Sequence, residues 1–228
     1  MHRNNILCAT RVFFGASLFK TMQIDSLSLS VGNKQLLTDV SISFTNGRIN
    51  HILGKNGIGK TCFAKACSGI LKYSGTICIE NQKPIIIGSY SNIPGNLRFC
   101  DILSIIKNNS KAKQLVDLLN IGDINPKMLV GRMSDGQKQK MKLLYFLSYE
   151  PKCVIFDEFT SALDKSSTLE IYSFLGSYLN DQRITSLNIT HNLTDLEYLP
   201  GKYYLFTNQT IREVADKQEV IDEYVKGV

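Results

Sequence analysis

A chain of 228 residues is long enough for one large α/β domain or two small ones. Its hydrophobic content of 43% and charged content of 20% are ordinary for a globular protein, and no apolar run approaches the 18 residues of a membrane-spanning helix. The net charge of +6 is spread without a run of five like charges, so it points to no nucleic-acid partner.

Six cysteines (Cys8, Cys62, Cys67, Cys78, Cys100, Cys153) are scattered, with no C-x-x-C pair. They read as free thiols of a reducing compartment rather than as a disulfide framework or a zinc site. Three histidines, His2, His51 and His191, exclude a histidine-rich metal site.

Residues 1–21 carry Arg3, Arg11 and Lys20, no acid, and an apolar patch at 12–19. They faintly resemble a targeting segment. The patch is short, however, and Met22-Gln23-Ile24-Asp25 makes a more natural start. The expectation is an upstream extension, poorly ordered or loosely packed, without a catalytic role. Next, Ile24, Leu27, Leu29 and Val31 stand against Ser26, Ser28 and Ser30, which predicts a strand. Gly32-Asn33-Lys34 signals a turn. Residues 36–44 give a second strand with Val40, Ile42 and Phe44 on one face. Asn46-Gly47 predicts a tight hairpin turn into a third strand at 49–53.

That third strand leads into Gly54-Lys55-Asn56-Gly57-Ile58-Gly59-Lys60-Thr61, which matches G-x-x-x-x-G-K-[ST] without departure. Residues 62–67 follow as a helix ending near Gly69. Strand, glycine loop and helix are the setting of a phosphate-binding loop. The glycines let the backbone curl so that several N–H groups face one concavity. The helix N-terminus adds about half a positive charge there. Lys60 can reach the β- and γ-phosphates of a nucleotide, and the Thr61 hydroxyl can ligate Mg²⁺. The candidate nucleotide contacts are therefore Gly54, Asn56, Gly57, Gly59, Lys60, Thr61 and Cys62. A glycine-rich turn that matches by chance is the bland alternative, and the strand–helix setting weighs against it.

Strands are predicted at 76–80 and 85–88. From about residue 92 to 147 the apolar residues recur at helical spacing. Leu97, Ile102, Leu103 and Ile106 suggest one helix, and Leu115, Leu118 and Leu119 a second. Pro126 breaks the chain before a third at 137–147, with Met141, Leu144 and Tyr145 inward. Cys153-Val154-Ile155-Phe156 is a continuous apolar strand, suited to a buried parallel sheet. A helix at 167–179, a strand at 184–189 and a short helix at 193–199 follow, then a hairpin of 203–206 with 211–214 and a terminal helix at 215–225. This alternation predicts a mostly parallel sheet with ligands at the C-terminal strand ends. No internal repeat is visible, so the chain holds a single nucleotide cassette.

Asp157 and Glu158 end the apolar strand. In a phosphate-loop fold that end faces the triphosphate, so Asp157 would hold Mg²⁺ with Thr61. Glu158 would polarise the attacking water as general base. The bland reading, acids that merely begin a solvated loop, loses weight beside an intact phosphate loop.

Met133-Ser134-Asp135-Gly136-Gln137-Lys138-Gln139-Lys140 resembles the signature motif of ABC-type ATPases, L-S-G-G-Q-x-Q. Ser161-Ala162-Leu163-Asp164 resembles that family's D-loop, and Thr190-His191 its switch histidine. The resemblance runs from about residue 22 to 214. It implies an α/β P-loop NTPase of ABC type: a mostly parallel sheet core, an N-terminal antiparallel β element and an inserted helical subdomain at about 92–147, within an ATPase domain of 22–228. It also implies a head-to-tail homodimer, with ATP and Mg²⁺ between the phosphate loop of one copy and the signature of the other. Ser134, Gly136 and Gln137 would then meet the partner's nucleotide at a helix N-terminus. The catalytic set would be Glu158, His191 and Lys60, and the metal set Thr61 and Asp157.

Three departures accompany the resemblance. Asp135 replaces a glycine of the signature. Gly88-Ser89-Tyr90-Ser91-Asn92 has no glutamine where the family's Q-loop falls, leaving Ser89 or Asn92 as substitutes. Val31 takes the place of the aromatic that stacks on adenine, and offers it apolar contact. The function implied is the ATP-hydrolysing subunit of a membrane transporter, peripheral at the cytoplasmic face and paired with a separate transmembrane permease subunit, with export favoured over import. The alternative is a soluble ABC-type ATPase of an assembly complex, such as iron–sulfur cluster assembly.

Overall fold

The computed structural model describes residues 22–79, 82–88 and 91–226. The extension expected at 1–21, and Ser89 of the Q-loop stretch, lie outside them. Two sheets organise the described residues. β1 (Met22–Val31) pairs antiparallel with β2 (Lys34–Phe44) on one side and with β4 (Ser74–Cys78) on the other. The larger sheet contains β3 (Ile49–Leu53), β5 (Ile85–Gly88), β6 (Cys153–Asp157), β7 (Thr185–Ile189), β8 (Gly201–Thr207) and β9 (Thr210–Val214). Its order is β5-β6-β7-β3-β8-β9, parallel except for the antiparallel β9 at one edge.

β3, β6 and β7 are buried along their whole length. Both faces of such a strand need cover, and two hydrophobic clusters supply it. Along β6, Cys153 and Ile155 enter the cluster that includes Phe44, Phe63 and Phe206, beneath the antiparallel sheet and α1 (Lys60–Cys67). Val154 and Phe156 enter the opposite cluster, with α2 (Phe99–Ile105), α3 (Asn109–Leu118), α4 (Asp135–Leu147) and α5 (Lys165–Asp181). The period-2 alternation thus splits one strand between two cores. α6 (Thr194–Tyr198) and α7 (Lys217–Lys226) complete the chain, with Leu196 and Val220 in a small third cluster.

Tertiary packing corrects three expectations. The Asn46-Gly47 turn does not close a hairpin: β2 lies in the antiparallel sheet, while β3 sits between β7 and β8. A wholly buried strand fits between two parallel neighbours, not at an antiparallel edge. Val31 is 43% exposed instead of facing the core with Leu29. Ser26 adopts φ 51° and the β1–β2 register shifts at several points, so the inward face reads Ile24, Leu27 and Leu29, and the strand end turns outward. Leu118 is 50% exposed at the end of α3, and Leu115 and Leu119 carry that packing.

Candidate functional site

β3, β6 and β7 end side by side, and the loops that follow them bring distant residues together. After β3 comes the glycine loop. Gly59 adopts φ 123°, where a side chain would be strained, and an added Cβ would stand 3.0 Å from Leu36 of β2. At Gly54 an added Cβ would stand 2.7 Å from the Phe206 carbonyl oxygen. Gly57 faces open space, Asn56 is exposed, and Thr61 and Cys62 are half-buried in the first turn of α1. Lys60 Nζ lies inside the loop, donating to Gly54 O at 2.6 Å and Lys55 O at 3.0 Å. Burial lowers the Lys60 pKa, and the nearby Glu158 and Asp157 carboxylates oppose that shift. Lys34 Nζ, at the β1–β2 turn beside Val31, donates to Gly57 O at 3.2 Å.

Asp157 is the last residue of β6 and is 3% exposed. Glu158 follows with φ 52°, a conformation that costs energy for a residue with a Cβ and that clusters at functional sites. Its N–H donates to Ile189 O at 2.9 Å, which ties the end of β6 to the end of β7. Two residues beyond β7, His191 Nδ1 donates to Glu158 Oε1 at 3.1 Å. Lys60, Asp157, Glu158 and His191 are therefore gathered at one end of the sheet.

A buried polar cluster lies behind that pair. Asp195, 1% exposed, accepts from Thr160 Oγ1 at 2.9 Å, from Asn188 Nδ2 at 3.0 Å and from the Tyr172 hydroxyl. Asn188 Nδ2 also donates to His51 Nδ1 at 3.1 Å, while His51 Nε2 donates to Leu199 O at 2.7 Å. Burial lowers the His51 pKa, in keeping with this neutral ring.

The serine-led motif is placed differently. Ser134 caps α4 by accepting from Gln137 N at 3.2 Å, and Gln137 Oε1 accepts from Ser134 N at 3.0 Å, a capping box. Gly136 packs on Ser167, at the start of α5, which Asp164 caps. The Ser167 backbone N–H holds the Asp164 carboxyl below its ordinary pKa. The bonds of Ser134 and Gln137 are local to the helix end. Asp135 pairs with Lys138 at 3.1 Å, so its charge is partly met on the same helix.

The donors suit a magnesium–triphosphate. A hydroxyl (Thr61) and one carboxylate (Asp157) are hard oxygen ligands, the sparse protein set with which Mg²⁺ is held beside phosphates. The glycine cradle and the Lys60 ammonium suit the phosphates themselves. Sequence reasoning missed Lys34, Lys142 and the Asp195 cluster. A signal existed for Lys142: it is a lysine inside the apolar run Met141 to Leu144.

A family profile described as ABC transporter matches residues 37–161. A protein named as a probable peptide export ATP-binding protein, YydI of Bacillus subtilis (strain 168), is 38% identical, covering 90% of this chain and 99% of its own. A zinc import ATP-binding protein, ZnuC of Wolbachia sp. subsp. Brugia malayi (strain TRS), is 30% identical over 90% of this chain and 87% of its own. Among solved structures, a nucleotide-free ATP-binding cassette from an ABC transporter superposes with a TM-score of 0.75 at 21% identity, covering 90% of this chain and 95% of that one.

Proposed function

The chain belongs to the ABC transporter family, whose ATP-binding subunits are ATPases, and from that premise we propose that it powers export of a peptide. Export and the peptide class are supported by the 38% identity to YydI over nearly all of that protein, against 30% for a relative named for import. No helix of the described residues is long and apolar enough to cross a membrane. As an ABC transporter ATP-binding subunit, it is paired in this proposal with a separate transmembrane permease, docked from the cytoplasmic face through the helices at about 92–147.

The observation that carries the hydrolytic part is the Glu158–His191 pair at 3.1 Å, set beside Lys60 and Asp157 at the strand ends. Gly54, Asn56, Gly57, Gly59, Lys60, Thr61 and Cys62 cradle ATP, with Val31 against the base. Thr61 and Asp157 hold Mg²⁺, which supplies charge neutralisation on the phosphates when bound. Glu158 takes a proton from the attacking water. His191, bonded to Glu158 through Nδ1, fixes that carboxylate and keeps Nε2 for the γ-phosphate. Two copies face head to tail, so that Ser134, Gly136 and Gln137 of one meet the triphosphate held by the other.

The test is purification of the tagged chain from solubilised membranes, followed by reconstitution of what accompanies it. A multi-span membrane protein should co-purify, and vesicles carrying both should move peptide away from the ATP side. Glu158→Gln should bind ATP as before and lower turnover by about 10²-fold or more. A chain that purifies without any membrane protein, or vesicles that move substrate toward the ATP side, would overturn the export reading.

A further inference from the structure

Beside its apolar stripe of Met141, Leu144 and Leu147, α4 carries a polar one toward the strand ends. A helix that packs on a sheet presents an apolar stripe to the body of the protein. Asp135, Lys138, Gln139 and Lys142 fall at i, i+3, i+4 and i+7, a single stripe, and all are polar. They line a cavity of about 270 Å³ together with Asn92, Ser161 and Glu158. Two side chains of the stripe pin α4 to the sheet. Gln139 Nε2 donates to Phe159 O at 3.0 Å, in the loop after β6. Lys142 Nζ donates to Gly88 O at 3.1 Å, at the end of β5. Gly88 in turn is the sheet partner of Asp157, and packs so closely that an added Cβ would stand 2.7 Å from the Asp157 carbonyl oxygen.

Lys142 is the anomaly of this arrangement. It is 7% exposed. An ammonium has three donors, and among the described residues this one makes one bond, to a backbone carbonyl, which uses a single one of them. A buried charge held so sparsely is costly, and an apolar side chain of the same length would stabilise the fold at least as well. The four residues after Gly88, Ser89-Tyr90-Ser91-Asn92, include no glutamine. The ammonium instead enters from α4, the helix that Ser134 leads.

Resting on the function proposed above, we propose that Lys142 is a positioning residue for hydrolysis. Its ammonium ties α4 to the β5–β6 strand ends, and so sets Asp157 and Glu158 relative to the helix whose N-terminus meets the partner's nucleotide. Movement of that N-terminus is then passed to Glu158 through the Lys142–Gly88 bond.

The test compares Lys142→Met, Lys142→Gln and Lys142→Arg in the full chain. Three quantities are read: melting temperature without nucleotide, equilibrium ATP affinity and single-turnover hydrolysis. In Lys142→Met, hydrolysis should fall by up to about 10²-fold, the scale of a displaced catalytic group. ATP affinity should stay within about twofold, because the loss is confined to the reacting geometry. The melting temperature should hold or rise. Lys142→Gln, a neutral donor for Gly88 O, should recover part of the rate, and Lys142→Arg more. Hydrolysis equal to wild type in Lys142→Met overturns the proposal, and so does a loss that only tracks a fall in melting temperature and ATP affinity. Should Lys142→Met fail to fold, Lys142→Gln with full turnover also overturns it. A wild-type chain without hydrolysis sinks the proposed function together with this inference; an active wild type matched by its variants sinks this inference alone.

Discussion

Asp195 gathers three hydrogen-bond donors onto one buried carboxylate: Thr160, Tyr172 and Asn188. Thr160 is two residues past Glu158, and Asn188 three before His191. The carboxylate therefore lies behind both members of the proposed hydrolytic pair. Asp195→Ala should strand those donors in the interior, at about 1–3 kcal/mol each. Denaturant unfolding should register a loss of about 2–5 kcal/mol, the upper end short of all three costs because the site relaxes. Asp195→Asn keeps the shape and should lose less. A stability within error of wild type for Asp195→Ala would mean that the cluster is not bonded as described. The burial of Tyr172, reinforced by its bond to Asp195, raises the phenol pKa far above its ordinary value, so this hydroxyl stays a donor throughout the working pH range.

Among the elements, α4 makes the most demanding contacts. Its first turn is fixed by the Ser134–Gln137 capping box, and its flank by Lys140 on Glu170 of α5 at 2.6 Å. At Gly136 the helix meets the start of α5: an added Cβ would press on Ser167 Oγ and lie 2.8 Å from Ser167 Cβ. Gly136→Ala should therefore push the two helix ends apart and destabilise the chain by about 1–3 kcal/mol, as overpacking does. Adding Ser167→Gly to that variant should recover part of the loss, read by denaturant unfolding of both variants. Equal stability of Gly136→Ala and wild type would show that the helix ends are not in contact. The Gly136 position also explains why a glycine is needed here, independently of any nucleotide.

At the scale of the whole molecule, the Ser134 end of α4 and the glycine loop belong to different parts of the chain, and the proposed mechanism joins them only across two copies. Glu158→Gln should slow hydrolysis and so trap that assembly. With millimolar ATP and Mg²⁺, light scattering should move from the single-chain mass of 25.6 kDa to twice that value, and Lys60→Ala in the same background should abolish the shift. A mass that stays at one chain under saturating ATP would remove the head-to-tail arrangement.

The contiguous motifs were legible because their chemistry is local. A glycine loop between a strand and a helix, an acid pair closing an apolar strand and a serine-led helix start each follow from the backbone preferences of adjacent residues. The alternation of strands and helices likewise announced the parallel sheet. Other features depended on residues far apart in the chain. β3 left its sequence neighbour β2 to insert between β7 and β8, because full burial needs two flanking strands. A bulge at Ser26 reset the inward face of β1. Lys142 stood out only as a lysine within an apolar run, and Asp195 looks like an ordinary surface residue; packing turned one onto Gly88 and enclosed the other among Thr160, Tyr172 and Asn188. Sequence by itself determined which groups the protein carries for phosphate chemistry. The tertiary structure decided how those groups are held, since burial and hydrogen-bond partners are properties of surfaces that meet only after the chain has folded.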